Sequence, residues 1–177
     1  QLKHLLVNLA LVKIEQTGFE RIVRFKFSSR PGKEIEKEVV VELMGRHSNI
    51  LLLDSSSKVV TLGKQIKESH SRLRPIGTGD SYKSPPPLKG LAPNLSESFQ
   101  TWKENICLVP STFKNCLKDT YQGISPALTL QIASNNYNEA IKIINQSVTS
   151  IELKTWEAIY KRWKKWLVDI ENNNFTI

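Results

Sequence analysis

Cysteine is nearly absent from this chain of 177 residues: Cys107 and Cys116 are the only two. Two cysteines make no disulfide framework, so the chain is read as one kept in a reducing compartment, the cytoplasm. Histidine is almost as scarce. His4, His47 and His70 lie far apart, and no Cys/His group has metal-ligand spacing, so no metal is expected. No run of about 18 apolar residues exists, which argues against a membrane span and a membrane partner. The apolar start at Leu5–Val12 lacks a cleavage pattern, so no signal peptide is expected. Also missing are a Gly-rich nucleotide loop, a pair of carboxylates at catalytic spacing and an internal repeat of useful period. No enzyme activity, cofactor or small-molecule substrate is expected. The chain begins at Gln1, inside an apolar pattern, and is read as a fragment.

What is present is an ordinary globular composition, 40% hydrophobic and 24% charged, with an uneven excess of positive charge. The net charge is +8. Residues 1–92 carry 16 basic and 9 acidic side chains, a net of +7, whereas residues 93–177 carry 9 and 8. A polyanion is the partner such a balance favours, because Lys and Arg displace phosphate counterions on binding nucleic acid.

The first part of the chain reads as strands. Val23, Phe25 and Phe27 alternate with Arg24 and Lys26, the period of a half-buried strand. A turn at Ser28–Lys33 with Pro31-Gly32 at its centre leads to a strand at Glu38–Met44, with Val39, Val41 and Leu43 on one face. A buried strand at Ile50–Leu53 and a short one at Val59–Leu62 follow, and short turns between them predict an antiparallel meander. Leu2–Val12 reads either as a helix end or as the approach to a strand at Val12–Gln16; periodicity leaves both open. Residues 75–94 hold five prolines in a Gly/Ser-rich context and can propagate neither a helix nor a central strand. Three segments are therefore predicted: a β-rich part over 1–74, a linker over 75–94 and a helical domain over 95–177.

In the helical part, Ser96 is a candidate N-cap for a helix carrying Phe99, Trp102 and Ile106. Ser111 is placed ahead of a second helix with Phe113 and Leu117. Ser125-Pro126 starts a third over Ala127–Ala133, a fourth covers about Asn138–Gln146, and the last runs about Ile151–Ile170. The last helix carries Trp156, Ile159, Tyr160, Trp163, Trp166, Leu167 and Ile170 on one stripe, and that helical spacing assigns Trp156 and Trp163 to a core rather than to base stacking. The basic residues Lys161, Arg162, Lys164 and Lys165 are read as a solvated face.

Two segments are candidate contacts to RNA. Gln122-Gly123-Ile124-Ser125-Pro126 is either the hairpin of a helix-hairpin-helix element, whose backbone amides hold a phosphate, or a plain turn with a Gly C-cap and a Ser-Pro N-cap. Local physics alone favours the turn. Gly45-Arg46-His47-Ser48-Asn49 sits between two apolar strands, where Arg46 and His47 can donate to phosphate and Asn49 is expected in the left-handed region.

Ordered blocks along the chain resemble the NFACT family. These are Leu11–Phe27, Val41–Asp54 with its E-L-M-G-R-H-S-N core, Arg74-Pro75, Tyr82 ahead of Pro85-Pro86, and Gln122–Pro126. The family comprises ribosome quality-control factors, bacterial RqcH (fibronectin-binding protein A-like) and eukaryotic NEMF. The resemblance implies an α+β fold: an antiparallel, β-rich half of an N-terminal domain like that of formamidopyrimidine DNA glycosylases, then an all-α helix-hairpin-helix domain. It implies binding to tRNA, chiefly alanyl-tRNA, and to a large ribosomal subunit obstructed by peptidyl-tRNA, in support of untemplated alanine-type tailing of the stalled chain. The family's Asp-Arg motif falls on Glu20-Arg21, with Glu in place of Asp. The charge survives but the carboxylate stands one methylene further out, which bears on tRNA recruitment more than on ribosome binding. The RNA-contact set expected is Glu20, Arg21, Arg46, His47, Asn49, Arg72, Arg74, Gly123 and Ser125. The alternative is a surface adhesin binding fibronectin- or fibrinogen-type matrix protein.

Overall fold

Alternation in the first part of the sequence resolves into a single sheet. The structure, a computed structural model, describes residues 2–66 and 74–174. Its chain divides into two compact units, Gln1–Pro87 and Leu88–Ile177. In the first, a one-turn helix α1 (Leu2–Leu5) precedes β1 (Ala10–Gln16), β2 (Ile22–Ser28), β3 (Lys37–Glu42), β4 (Asn49–Asp54) and β5 (Val59–Leu62). The strands hydrogen-bond in chain order, all antiparallel, so the predicted meander is present with a fifth strand at its start. A register shift between Leu11 and Lys13 bulges β1. Strand β3 stops at Glu42, two residues short of expectation, and Leu43 is exposed. Met44 leaves extended geometry and Gly45 takes φ +57, which ends the ladder.

Register assigns each side chain to a face. On one face Val40, Leu51, Leu53 and Val59 form a buried cluster, closed from above by Ile76 and flanked by Ile22, Leu62, Ile66 and Tyr82. Full burial of such side chains is worth about 1.5–3 kcal/mol each. The other face carries Leu11, Ile14, Val23, Phe25, Phe27, Val39 and Leu52. Val39 and Leu52 are buried there, while Leu11 and Ile14 at the β1 edge are exposed.

The proline-rich stretch forms neither a helix nor a named strand. Residues 76–82 lie along β5 as a strap: Val59 N–H donates to Asp80 O (2.9 Å), Gly79 N–H to Val59 O (2.8 Å) and Tyr82 N–H to Ser57 O (2.9 Å). Ile76 and Ile66 exchange backbone bonds at 2.9 and 3.0 Å.

The second unit is helical: α2 (Phe99–Cys107), α3 (Phe113–Thr120), α4 (Pro126–Ala133), α5 (Tyr137–Asn145) and α6 (Leu153–Glu171). The α2 cap is Ser98, not Ser96; its hydroxyl accepts from Thr101 N–H at 3.1 Å, whereas Ser96 folds back onto Asn94. The cap must be the extended residue adjoining the first helical one, and Ser98 has φ −73, ψ 156. Thr112 rather than Ser111 adjoins α3. Asn136 caps α5 through Glu139 N–H (3.1 Å), moving its start one residue earlier than expected. Trp102, Trp156 and Trp163 are buried, as the helical spacing predicts. Trp102 is the hub, its ring centroid 5.6 Å from Trp156, 5.8 Å from Trp163 and 5.3 Å from Tyr160. Part of the basic face on α6 is not solvated. Arg162 donates to the carbonyls of Ile132 (2.7 Å) and Ala133, occupying carbonyls left open at the end of α4. Lys164 donates to Leu95 O, and Lys165 pairs with Asp169 at 2.6 Å.

Candidate nucleic-acid interface

One end of the sheet gathers most of the candidate residues. There β1 ends, β2 begins, β3 ends, β4 begins and β5 ends. Glu20 and Arg21 close the β1–β2 hairpin, and Arg21 O accepts from Leu43 N–H at 2.8 Å. Two residues beyond Leu43, Gly45–His47 form a 3-10 turn. Arg21, Arg46 and His47 are exposed, and neither arginine makes an ion pair among the described residues. Arg46 Nε donates to His47 Nε2 at 3.0 Å, so the pair is held as one unit.

Asn49 starts β4 in extended geometry, and the left-handed conformation expected of it is taken by Gly45 instead. Its buried amide is turned inward: Nδ2 donates to Lys64 O (2.8 Å), and Oδ1 accepts from Lys64 N–H (2.9 Å) and Ile50 N–H (3.0 Å). Asn49 is thus a clasp that fixes the backbone of Lys64 beside the Arg46 turn, with the Lys64 side chain exposed. Lys64 is absent from the RNA-contact set expected from the sequence. The signal, an Asn and a Lys facing each other across a hairpin 15 residues apart, appears only once β4 and β5 are paired.

Arg74 is not available to phosphate. It forms a bidentate pair with Glu42, Nη1–Oε2 2.9 Å and Nη2–Oε1 2.5 Å, and its Nε donates to Lys83 O at 2.8 Å. The Glu42 side chain is 0% exposed and that of Arg74 14%. A buried carboxylate needs such a partner, and this explains the assignment of Arg74 inward. Arg24 is likewise spent on Glu38 (3.1 and 3.2 Å), and Lys13 and Lys26 both on Glu15 at 2.6 Å. Those two ammonium groups pull the Glu15 carboxyl down to about 2. Much of the positive charge of the sheet is therefore neutralised within it, and among the described residues the exposed remainder at this end is Arg21, Arg46 and Lys64. Arg72 lies outside the described residues.

Tyr82 lies between the two inward arginines, whose guanidinium carbons stand 5.2 Å (Arg24) and 5.3 Å (Arg74) from its ring centre. Its hydroxyl donates to Glu42 at 2.9 Å. Burial, reinforced by Glu42, pushes the Tyr82 phenol from an ordinary 10.0 up to about 12. Because the folded value is raised, the stabilisation is complete below pH 10 and disappears as pH climbs through 10 toward 12. Phenolate absorbance during an alkaline titration is expected to lose one late-ionising component in Tyr82→Phe. Loss of a component that ionises near 10 instead would show that Tyr82 is not buried against Glu42.

Gly123 and Ser125 are in the other unit. Gly123 is exposed with φ +75, and Ser125 caps α4 by accepting from Leu128 N–H at 3.1 Å. Pro126 has no N–H, so Ala127 holds the first amide of this helix not engaged by the cap. Gln122 is used inside the fold, its side-chain amide donating to Leu88 O (3.2 Å) and Gly90 O (2.9 Å).

Among the described residues no group of three or more His, Cys, Asp or Glu side chains converges as a metal site. No described helix is long and apolar enough to cross a membrane.

The family model for NFACT N-terminal and middle domains matches residues 1–177. Among curated proteins, the chain is 34% identical over 117 residues to "Rqc2 homolog RqcH" of Bacillus subtilis, covering 64% of this chain and 20% of that protein. It is 30% identical over 153 residues to RqcH of Streptococcus pneumoniae, covering 80% and 28%. The chain thus spans between a fifth and three-tenths of these relatives. Among solved structures, the N-terminal of the fibronectin/fibrinogen-binding protein from Streptococcus suis aligns with a TM-score of 0.56 at 24% identity, over 81% of this chain and 57% of that one. The fibrinogen binding protein from Staphylococcus aureus aligns with a TM-score of 0.63 at 16% identity, over 94% and 57%. Both share the fold of a five-stranded antiparallel sheet followed by helices. With the family model running the whole length of the chain, the protein belongs to the NFACT family, over its N-terminal and middle domains.

Proposed function

We propose that this chain is the RNA-gripping portion of a cytoplasmic ribosome quality-control factor. It binds tRNA, alanyl-tRNA foremost, and the large ribosomal subunit carrying peptidyl-tRNA. It thereby supports untemplated alanine-type tailing of the stalled chain. The ribosome performs the peptide chemistry, and the chain itself is not an enzyme. The sheet unit corresponds to half of a glycosylase-like N-terminal domain, and α3, the Gln122–Pro126 turn and α4 to the helix-hairpin-helix.

The observation that carries this reading is the gathering of Arg21, Arg46, His47 and Lys64 at one end of the sheet, in a chain that belongs to this family. Guanidinium groups grip phosphate in a bidentate fork, and the His47 ring is held against Arg46 at 3.0 Å. Glu20 in the same hairpin accepts from a ribose hydroxyl or orients Arg21.

Glu20→Ala combined with Arg21→Ala is expected to weaken tRNA binding by about tenfold, on the scale of one charge-assisted contact. The Tm should move little, because Arg21 is exposed and carries no ion pair among the described residues. Arg46→Ala or Lys64→Ala should each lower the slope of log affinity against log salt by about one. Equal tRNA affinity in the double variant would remove the site assignment.

A second reading, an adhesin for fibronectin- or fibrinogen-type matrix protein, is favoured by the names of the solved relatives. Binding of the chain to immobilised fibrinogen that persists in Glu20→Ala/Arg21→Ala, with no binding to tRNA, would select it.

A further inference from the structure

The helical unit carries an apolar groove that RNA binding at the sheet does not use. Ile106 and Cys116, both buried, form its floor, and Leu91, Leu108 and Val109 stand at its rim. Leu108 is 76% exposed and Val109 73%, two large apolar side chains side by side in water. We propose that this groove docks a short basic amphipathic segment of a partner protein. Its apolar side chains enter between the rim residues, and its lysine or arginine meets Asp119.

The groove is built in advance of any partner. Leu91 N–H donates to Thr120 O at 2.7 Å, and Gln122 N–H donates to Leu91 O at 2.9 Å. Gly90 permits that approach, since a Cβ there would stand 2.8 Å from Thr120 O. Between α2 and α3, the Cys116 thiol donates to Val109 O at 3.3 Å and ties the loop down. Leu91 and Val109 are therefore held at fixed places, and little ordering has to accompany binding.

Charge decides the occupant. Polar groups of the lining already have partners inside the fold: the Asn105 amide donates to Glu97 at 2.8 Å, and the Thr120 hydroxyl to Asn105 O at 3.4 Å. Asp119 differs. It is exposed, and it makes no ion pair among the described residues. It lies in the last turn of α3, where the helix dipole disfavours a negative charge, and its neighbour Lys118 faces another way round the helix. An RNA strand would bring phosphate to this carboxylate and find no cation in the described lining. A second copy of the chain, paired about a two-fold axis, would set carboxylate toward carboxylate. A cationic amphipathic segment satisfies both the apolar rim and Asp119.

Methyl NMR of the full chain tests this with two defined probes. One is a helical peptide of about eighteen residues with leucines along one face and lysines beside them. The other is its twin with glutamate at every lysine position. The lysine peptide is expected to shift the methyls of Leu91, Ile106, Leu108 and Val109, and to bind about fivefold more tightly than its twin. Leu108→Ser and Val109→Ser, both at exposed positions, should each weaken it about tenfold. Asp119→Lys should reverse the preference between the twins. Groove methyls left unmoved by the lysine peptide would overturn the proposal, and so would undiminished affinity in both serine variants. Twins that bind alike would overturn the basic partner. Self-association of the chain alone, abolished by Leu108→Ser, would overturn it in favour of a second copy. Each outcome leaves the RNA-binding reading where it stood.

Discussion

Arg74→Ala is expected to cost the sheet unit about 3–5 kcal/mol, the range found when one member of a buried ion pair is removed. The size follows from what is left behind rather than from what is lost. Glu42 is 0% exposed, and its carboxylate is balanced by a two-pronged contact from Arg74, with Tyr82 as a third donor. Without Arg74 the charge must either take up a proton or draw water into the cluster of Val40, Leu51, Leu53 and Ile76. Exchange free energies at the Val40, Leu51 and Leu53 amides measure the effect. Glu42→Leu combined with Arg74→Met removes both charges and should restore part of the stability. A loss below about 1 kcal/mol in Arg74→Ala would mean that the pair is open to solvent.

Trp102→Ala is expected to cost the helical unit a similar amount, about 3–5 kcal/mol. Its ring touches Trp156, Trp163 and Tyr160, so truncation leaves a void bounded by large, stiff side chains that cannot collapse inward. The indole N–H of Trp102 is buried without a partner among the described residues, so that group contributes nothing that a phenyl ring would forfeit. Trp102→Phe should accordingly be much milder. Denaturation followed by helical circular dichroism separates the variants. Near-equal midpoints for Trp102→Ala and wild type would show that the aromatic cluster is not the core.

Whatever depended on a period of two or of 3.6 was legible in the sequence. Val23, Phe25 and Phe27 announced β2, and the stripe from Trp156 to Ile170 announced α6, although of its seven residues Tyr160, Trp166 and Ile170 are only half-buried. Local chemistry placed Ser125-Pro126 at the start of α4. What failed was anything whose reason lies far along the chain. Arg74 entered the expected RNA-contact set because its partner Glu42 is 32 residues away along the chain. Arg162 looked solvated because the carbonyls it satisfies end a helix 29 and 30 residues earlier. Lys64 was left out of the contact set because the Asn49 clasp exists only after β4 and β5 have paired. A count of positive charges reads the supply and leaves out the internal demand from Glu15, Glu38 and Glu42.

All four tryptophans lie beyond residue 100, in the helical unit, and none in the sheet unit. An ultraviolet emission spectrum of this protein is consequently a spectrum of one half of it. The optical probe belongs to one unit and the cations proposed to meet RNA to the other, so silence on adding RNA would be no sign of failed binding at the sheet. A label has to be introduced there before that half can be watched at all.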